Sequence, residues 1–294
     1  MATNASNFGR TRTALRGTID ALPPVSGNVY FVDSVTGSAT GGYTMDGPAA
    51  TLTQALALVT AANNDRIVVF GTHAETIVGA AGVSIAKSGV QIVGLGQGRL
   101  RPTFTFTTSV AASFDVSAAN VQIQNLVFVT GIDNQTAVNN VTAADVQFLN
   151  CEWAISNGTV GAALGILTAA TADRLLVDGC LFRGPAVNAG TTCAGCIQHE
   201  SGVDVIVRNN IFQGKMTQAI KNVATVLRGQ YYNNAFTIGT GTVAMTFAAA
   251  STPSFYNNRY NLPSGTTPVT AAAGFNLGGS YYSASAGVTA ATLI

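Results

Sequence analysis

The side chains best suited to acid–base chemistry lie in one short stretch of the chain. His199, Glu200 and Asp204 fall within six residues, with Asp173 before them and Lys221 after them. Glu200 or Asp204 could act as a general acid or base beside His199. However, the run from Glu200 to Asp204 has the composition of a turn between two strands, where solvated charges are common. We therefore interpret it as structural and keep these three residues as weak catalytic candidates.

Four cysteines are the other reactive side chains, and they form two unlike pairs. Cys193 and Cys196 make a single CxxC motif, but neither a second CxxC nor a βαβ pattern of the thioredoxin type accompanies it. Cys151 and Cys180 occupy the same place in two similar segments, which favours buried thiols over a disulfide. We predict no metal site and no cofactor.

A recurring eight-residue phrase organises the chain between Val90 and Tyr260. The fifth residues of its seven copies are separated by 31, 25, 29, 30, 24 and 24 positions, a period typical of solenoids. The copies are VQIVGLGQ, VQIQNLVF, VQFLNCEW, LLVDGCLF, VIVRNNIF, GQYYNNAF and PSFYNNRY.

Each phrase predicts a short strand, a sharp corner and an inward aromatic ring. The first and third residues are mostly apolar and the second is often polar, as in a strand with one buried face. The fifth residue is always Gly or Asn, the residues that most readily adopt left-handed backbone angles. The corner residues are Gly94, Asn125, Asn150, Gly179, Asn209, Asn233 and Asn257, and the rings are Phe128, Trp153, Phe182, Phe212, Phe236 and Tyr260.

These features together predict an all-β fold, a right-handed parallel β-helix. One coil cannot bury its own apolar face, whereas a stack of coils shares one core. An antiparallel sandwich is the alternative, but it would carry turn signals every 8–12 residues or so.

The chain divides into three parts around this solenoid. Residues 1–27 form an N-terminal arm that carries Arg10, Arg12 and Arg16, with a short helix around Thr13 to Leu22; a disordered tail is the alternative. Residues 28–260 form the β-helix, in which a helix from Pro48 to about Asn63 covers the open apolar end. Residues 261–294 form a C-terminal cap or an intersubunit segment.

The stretch from Asp65 to Gly96 resembles the opening coils of the pectate-lyase-like parallel β-helix superfamily. The matching pieces are Ile67 to Val69, Gly71, Thr76 to Ile77, Ser88 to Val90 and Ile92. With the seven phrases, the resemblance covers about residues 28 to 260. It implies the right-handed β-helix but not one activity, because the superfamily holds lyases, hydrolases, adhesins and virion proteins. His73 and Glu75 in this stretch are interpreted as structural.

The outward positions of the coils are where the catalytic residues of an enzyme of that superfamily would be expected. The resemblance implies an acidic Ca²⁺ cluster with an Arg or Lys base for its lyases, and its hydrolases need converging carboxylates. The fourth-position column holds one acid, Asp178, which we expect beside Arg208 as an ion pair between neighbouring coils. Neither column carries paired carboxylates, which favours a protein without catalysis. The second-position column is Gln91, Gln122, Gln147, Leu176, Ile206, Gln230 and Ser254, and the fourth is Val93, Gln124, Leu149, Asp178, Arg208, Tyr232 and Tyr256.

Apolar and aromatic residues at these outward positions predict an oligomer interface, because monomers rarely expose such patches. The predicted interface residues are Leu149, Leu176, Ile206, Tyr232 and Tyr256.

Charge and hydropathy exclude several other partners. The 294 residues include only 14 Lys or Arg and 13 Asp or Glu, with a net charge of +1. Nucleic acids and acidic membranes require clustered basic residues, so neither is an expected partner. The sequence contains no signal-peptide pattern and no apolar run long enough to span a membrane, which predicts a product of the cytoplasm.

Among the classes of protein that the resemblance implies, we therefore expect a non-enzymatic structural protein of a virion, and the resemblance points to a bacteriophage capsid decoration or cement protein. It would assemble as a homotrimer and bind the major capsid protein or another virion protein through Arg10, Arg12 and Arg16. The alternatives are a phage tailspike-type depolymerase that binds a glycan, and a surface adhesin.

Overall fold

The predicted parallel β-helix is confirmed in a computed structural model of the chain. The structure describes residues 19, 22–132, 135–155, 162–185, 193–239, 243–263, 267–270, 276–278 and 281–284. Nearly every coil contributes one strand to each of three long sheets, and the strands within each sheet pair in parallel. No helix in these ranges is long and apolar enough to cross a membrane.

The first sheet contains the strands of the seven phrases. Its ten strands are β1 (Val29–Val32), β2 (Arg66–Val69), β5 (Gln91–Gly94), β8 (Gln122–Gln124), β11 (Gln147–Leu149), β14 (Leu176–Asp178), β18 (Ile206–Arg208), β22 (Gln230–Tyr232), β25 (Ser254–Tyr256) and β28 (Asn276–Gly278).

The second sheet follows the first within each coil and carries the inward rings. Its nine strands are β3 (Ala74–Ile77), β6 (Thr103–Phe106), β9 (Val127–Thr130), β12 (Glu152–Ala154), β15 (Leu181–Arg183), β19 (Ile211–Gly214), β23 (Ala235–Ile238), β26 (Arg259–Leu262) and β29 (Tyr281–Ala284).

The third sheet closes each coil. Its eight strands are β4 (Val83–Ile85), β7 (Phe114–Val116), β10 (Gln135–Val141), β13 (Ala162–Thr168), β16 (Cys193–His199), β20 (Met216–Asn222), β24 (Val243–Thr246) and β27 (Thr267–Thr270). Two short strands, β17 (Gly202–Val203) and β21 (Val226–Leu227), pair at the corner that leads back to the first sheet.

The sharp corner between the first and second sheets has left-handed backbone angles, as predicted. The φ values are 59° at Asn125, 53° at Asn150 and 66° at Gly179, and they are similar at Asn209, Asn233 and Asn257. Each backbone N–H at Asn125, Asn150, Gly179, Asn209 and Asn233 donates to a carbonyl of the next coil. The corner is therefore part of the stacking ladder.

Gly94 is the exception, and the predicted corner there is wrong. Gly94 ends β5 in the first sheet, and the left-handed angles come later, at Gly96 and Gly98. The chain makes a wider turn in this coil, which includes a 3₁₀ helix at Gly98–Leu100. An insertion in the loop has thus moved the corner away from the fifth position of the phrase.

The predicted aromatic column is confirmed and begins one coil earlier than the phrases indicated. Ring centroids are 5.3 Å apart for Phe128 and Trp153, and 4.5 Å apart for Trp153 and Phe182. The column starts at Phe104, which stacks on Phe128. It continues through Phe212, Phe236 and Tyr260 at centroid distances of 4.9 to 5.0 Å. These rings are fully buried or nearly so.

Asparagine side chains form a second, interior column beside the corner. The side-chain oxygen of Asn234 accepts from the backbone N–H of Asn210, and that of Asn258 accepts from the N–H of Asn234. The oxygen of Asn210 accepts from the N–H of Cys180. Because these amides are buried, each of their bonds replaces a bond to water that folding removes.

One helix packs on the first coils, but it is shorter than the predicted Pro48 to Asn63. The helix α1 spans Leu52–Leu58, begins at a capping box of Thr51 and Gln54, and ends where Val59 becomes extended. The Glu75 carboxylate accepts from the backbone N–H of Leu52, which confirms a structural role for Glu75. Leu52, Ala55 and Leu56 join the core, as a helix that covers the end of the stack should.

Beyond Tyr260 the coils continue. Strands β27, β28 and β29 extend all three sheets in parallel register. The stack therefore reaches past the 28–260 range of the phrases, while the role of 261–294 as a cap or an intersubunit segment stays a prediction.

Replacing Asn233 separates the corner's backbone angle from its side-chain bonds. Its amide donates to Asn209 and accepts from Asn257. Asn233→Gly keeps the angle and loses these bonds, so we expect a loss of about 1 kcal/mol in the free energy of unfolding. Asn233→Val adds left-handed strain of about 1–2 kcal/mol. Urea denaturation measures both, and equal losses would contradict a role for the backbone angle.

Truncation of a central ring tests the aromatic column. We expect Phe182→Ala to cost about 3–5 kcal/mol, since it opens a cavity between two stacked rings. The control Phe182→Leu keeps most of the volume and should cost less than about 1.5 kcal/mol. Urea denaturation midpoints, measured with equal slopes, give the loss in the free energy of unfolding for each variant. Similar losses for the two variants would contradict a stabilising role for the stacked ring.

Candidate functional site

The outer face of the first sheet presents the two side-chain columns that the sequence predicted. Gln91, Gln122 and Gln147 are lateral partners in successive coils, and Leu176 and Ile206 follow them in register. The other column is likewise in register from Val93 to Tyr256. The residues between the columns, such as Phe148, Val177 and Val207, are fully buried, so the columns face outward.

The chemistry of this face changes along the solenoid axis. The first coils present mostly glutamines, the middle coils add leucine and isoleucine, and the last coils present tyrosines beside Gln230 and Ser254. We call the apolar and aromatic part the outer band; four of its members are partly exposed to solvent, and Tyr256 is 38% exposed. The outer band is Leu149, Leu176, Ile206, Tyr232 and Tyr256.

An ion pair lies in the middle of the outer band, where the sequence placed it. Arg208 contacts the Asp178 carboxylate at 2.8 Å and donates to the Tyr232 hydroxyl at 2.9 Å. These two bonds raise the pKa of the Arg208 guanidinium. Asn209 donates to the second oxygen of Asp178. The charges of the band are thus satisfied within it.

Two tyrosines end the outer band in a stack. The rings of Tyr232 and Tyr256 are nearly parallel, with centroids 4.5 Å apart. Burial is the largest of the causes that raise the pKa of Tyr256, so its hydroxyl is neutral at pH 7. The lateral partner of Tyr256 in the next coil is Gly278, which has no side chain to cover the ring.

A shallow polar groove lies at the opposite end of the same face. Its volume is about 200 Å³, and it runs across four coils beside the corner that leads into the first sheet. Among the described residues, the side-chain amides of Asn120 and Gln147 have no hydrogen-bond partner, which leaves their donors and acceptors available. The amide side chains of this groove are Asn64, Gln91, Asn120, Gln122 and Gln147.

The weak catalytic candidates bind separate partners. His199 is fully buried, and its Nδ1 lies 3.4 Å from the Thr168 hydroxyl. Burial lowers the pKa of His199 to about 4. Glu200 accepts from Gln198, and Asp204 pairs with Arg228 at the surface.

In these contacts, none of His199, Glu200 and Asp204 is paired with another of the three as acid and base. Asp173 also serves the backbone, because it accepts from the N–H of Val203. These contacts support the structural interpretation of the 199–204 segment.

Sequence reasoning missed an alternating charge column at the corner between the third and first sheets. Arg174 makes two bonds to the Asp145 carboxylate, at 2.6 and 2.7 Å, and Arg228 makes two to Asp204, at 2.7 and 2.8 Å. The bonds from arginine lower the pKa of both carboxyls. All four residues have left-handed φ values. Each immediately precedes a phrase, and that position was the signal available in the sequence.

A buried carboxylate on the second sheet is also matched by arginine. Glu152 is only 6% exposed and accepts from both Arg101 and Arg183. Arg101 comes from the wide turn after Gly94 and also donates to the backbone of Gly98 and Asn150. This arrangement ties three coils together and leaves no unpaired acid for catalysis at this site.

All four cysteines are buried thiols outside any disulfide, which confirms the expectation for Cys151 and Cys180. The described ranges contain no group of three or more His, Cys, Asp or Glu side chains placed to hold a metal ion.

The predicted shell-binding residues Arg10, Arg12 and Arg16 lie outside the described residues. The end of the same arm is described, and it contacts the first sheet. Ile19 and Leu22 pack against an apolar cluster, and the Pro23 carbonyl accepts from the Arg66 guanidinium at 2.6 Å. The apolar cluster under this segment is Phe31, Val68, Phe70 and Leu95.

Comparison with known proteins finds solved structures that superpose on most of this chain at low sequence identity. A rhamnogalacturonan lyase superposes with a TM-score of 0.47 at 14% identity, over 81% of this chain and 71% of that chain. The GH136 lacto-N-biosidase from Eubacterium ramulus superposes with a TM-score of 0.40 at 11% identity, over 88% of this chain and 67% of that one. No family model matches the chain. No curated protein matches it either.

His199 should make the protein sensitive to acid. Its pKa is lower in the folded chain than the ordinary 6.5, so its contribution to stability is full above pH 6.5 and is lost as the pH falls toward 4. We expect the free energy of unfolding to fall by about 3 kcal/mol between pH 6.5 and pH 4 because of this residue. The measurement compares the pH dependence of unfolding for the native chain and His199→Leu. Identical slopes between pH 6.5 and 4 would contradict the prediction.

Proposed function

We propose that this protein is a non-enzymatic structural component of a virus particle, a capsid decoration or cement protein that assembles as a homotrimer. The observation that carries the proposal is the outer band, an apolar and aromatic surface on a rigid sheet. The resemblance of the sequence to a superfamily that includes virion proteins supports the choice of particle.

The composition of the outer band fits a protein interface. Tyrosine and arginine are enriched in interfaces, where a large rigid side chain loses little conformational entropy on binding. Arg208 between Asp178 and Tyr232 is already paired, so burying it does not leave an isolated charge. A partner surface that covers Leu176 and Ile206 would remove apolar area from water.

The gradient along the axis favours copies that lie parallel. Four glutamines occupy one end of the face, and the stacked rings of Tyr232 and Tyr256 lie at the other end beside Gln230. An antiparallel pair would therefore bury more ring surface against amides than a parallel pair. Parallel copies around a common axis bring like coils together, which is a cyclic arrangement. The proposal takes three copies.

The arm supplies the contact with the shell in this proposal. Arg10, Arg12 and Arg16 would form paired hydrogen bonds with carboxylates of the major capsid protein. The contacts of Ile19, Leu22 and the Pro23 carbonyl hold the base of the arm against the first sheet. The three arginines would thus extend from a fixed point near one end of the solenoid.

Lysine substitution on two faces of the same coil tests the interface. Ile206 lies in the outer band, and Ile211 is 47% exposed on the second sheet. Ile206→Lys should break the trimer into monomers, because association would bury like charges. Ile211→Lys should leave the trimer intact. Sedimentation equilibrium gives the mass of each, and the reverse outcome would place the interface on another face.

Truncation of the arm tests the shell contact. Deleting residues 1–18, or replacing Arg10, Arg12 and Arg16 with Gln, should leave a folded trimer that no longer sediments with purified particles. Deleting residues 1–27 also removes Leu22 and Pro23, so it should destabilise the first coils as well. Undiminished binding of the triple Gln variant to particles would contradict the role of the arginines.

A second candidate function, glycan binding, is favoured by the amide-lined groove. Side-chain amides both donate and accept, which suits the hydroxyls of a neutral saccharide. Titration of surface oligosaccharides against the native chain and Gln147→Ala tests this alternative. Cleavage of the saccharide that is lost in Glu200→Gln or Asp204→Asn would instead establish a depolymerase.

A further inference from the structure

The interior between the second and third sheets holds three sulfur atoms from two successive coils. Cys193 and Cys196 lie on β16, and Met216 begins β20 as the lateral partner of Cys193. All three side chains are completely buried. The Cys196 Sγ lies 3.5 Å from the Met216 Sδ, and the Cys193 Sγ donates to the backbone carbonyl of Gly195 at 3.1 Å. We call this group the sulfur cluster.

Both thiols belong to the buried core, although residues three apart in a regular strand point to opposite faces. In β16, Gly195, Cys196 and Ile197 are buried in succession, and Cys193 and Cys196 are members of one hydrophobic cluster. Cys196 thus departs from regular alternation, and the next coil adds the thioether of Met216.

We propose that the sulfur cluster binds one soft monovalent metal ion, Cu⁺ or Ag⁺. Thiolate and thioether are the ligands that Cu⁺ prefers, whereas carboxylate and water suit harder cations. Two sulfurs that share one ion at about 2.3 Å lie roughly 3.5–4 Å apart. The separation of Cys196 and Met216 falls in this range.

The charge of the interior selects a monovalent ion. When the ion binds, one thiol loses its proton to solvent and a sulfur–metal bond replaces the S–H bond, with no electron transferred. One thiolate and one M⁺ are neutral together, so the apolar core does not hold a net charge. Zn²⁺ would require two thiolates for the same neutrality, and a fourth ligand to complete its tetrahedral geometry.

Proton competition sets the pH dependence of this site. A thiol must lose its proton before it binds the metal, so affinity should rise with pH. The sulfur cluster lies inside the solenoid, while the outer band lies outside it, so this inference does not rest on the proposed function.

The experiment loads the full-length reduced chain with Ag⁺, and with Cu⁺ under anaerobic conditions, against a competing chelator. Native mass spectrometry counts the bound ions, and X-ray absorption identifies their ligands. We expect one ion in a sulfur-only environment, absent from Cys193→Ser/Cys196→Ser. The matched control Cys151→Ser/Cys180→Ser removes the other buried thiol pair and should keep the ion.

Met216→Leu provides a second test in case the double serine variant does not fold, because this substitution conserves side-chain volume. It should keep the native circular dichroism spectrum, weaken binding on the order of tenfold and reduce the number of sulfur ligands from three to two. Failure of the native chain to retain an ion against the chelator would overturn the proposal. So would an ion lost only from Cys151→Ser/Cys180→Ser, or unchanged affinity in Met216→Leu.

Discussion

The structure depends on one backbone constraint, a left-handed residue at the corner between the first two sheets in the six coils from Asn125 to Asn257. The N–H of that residue bonds to a carbonyl of the next coil at Asn125, Asn150 and Asn209. A corner displaced by one residue would turn every following side chain to the other face. The buried rings, the interior asparagines and the outer band are therefore all positioned by the same turn.

The sequence predicted the features that repeat, and it missed those that depend on contacts between coils. The corner asparagines and the ring column from Phe128 to Tyr260 were predictable because each coil states them again. The wide turn after Gly94 was not, since an insertion in one coil has no second copy for comparison. Helix α1 was too long in prediction because Pro48 suits a first turn, whereas the capping box of Thr51 fixes the start.

The candidate site shows the same division. The columns of the outer face followed from the phrases, as did the pair of Asp178 and Arg208. The sulfur cluster did not, because regular strand alternation would place Cys193 and Cys196 on opposite faces and Met216 lies in a different coil. The polar segment from His199 to Asp204 illustrates the converse, since residues close in sequence can serve a buried strand and a surface corner only a few positions apart.

Two successive coils near the C-terminal end of the solenoid have the same length, so they form a regular repeating unit. Successive corner residues from Asn209 to Asn233 and from Asn233 to Asn257 are each 24 positions apart, and their side-chain amides are bonded in one continuous line. Duplicating such a unit would add one strand to each sheet and lengthen the molecule by roughly 4.8 Å, the spacing of paired strands. Length can thus change in fixed steps while the faces that a partner contacts keep their geometry. A protein that must span a set distance on a regular surface can be adjusted to that distance by counting coils.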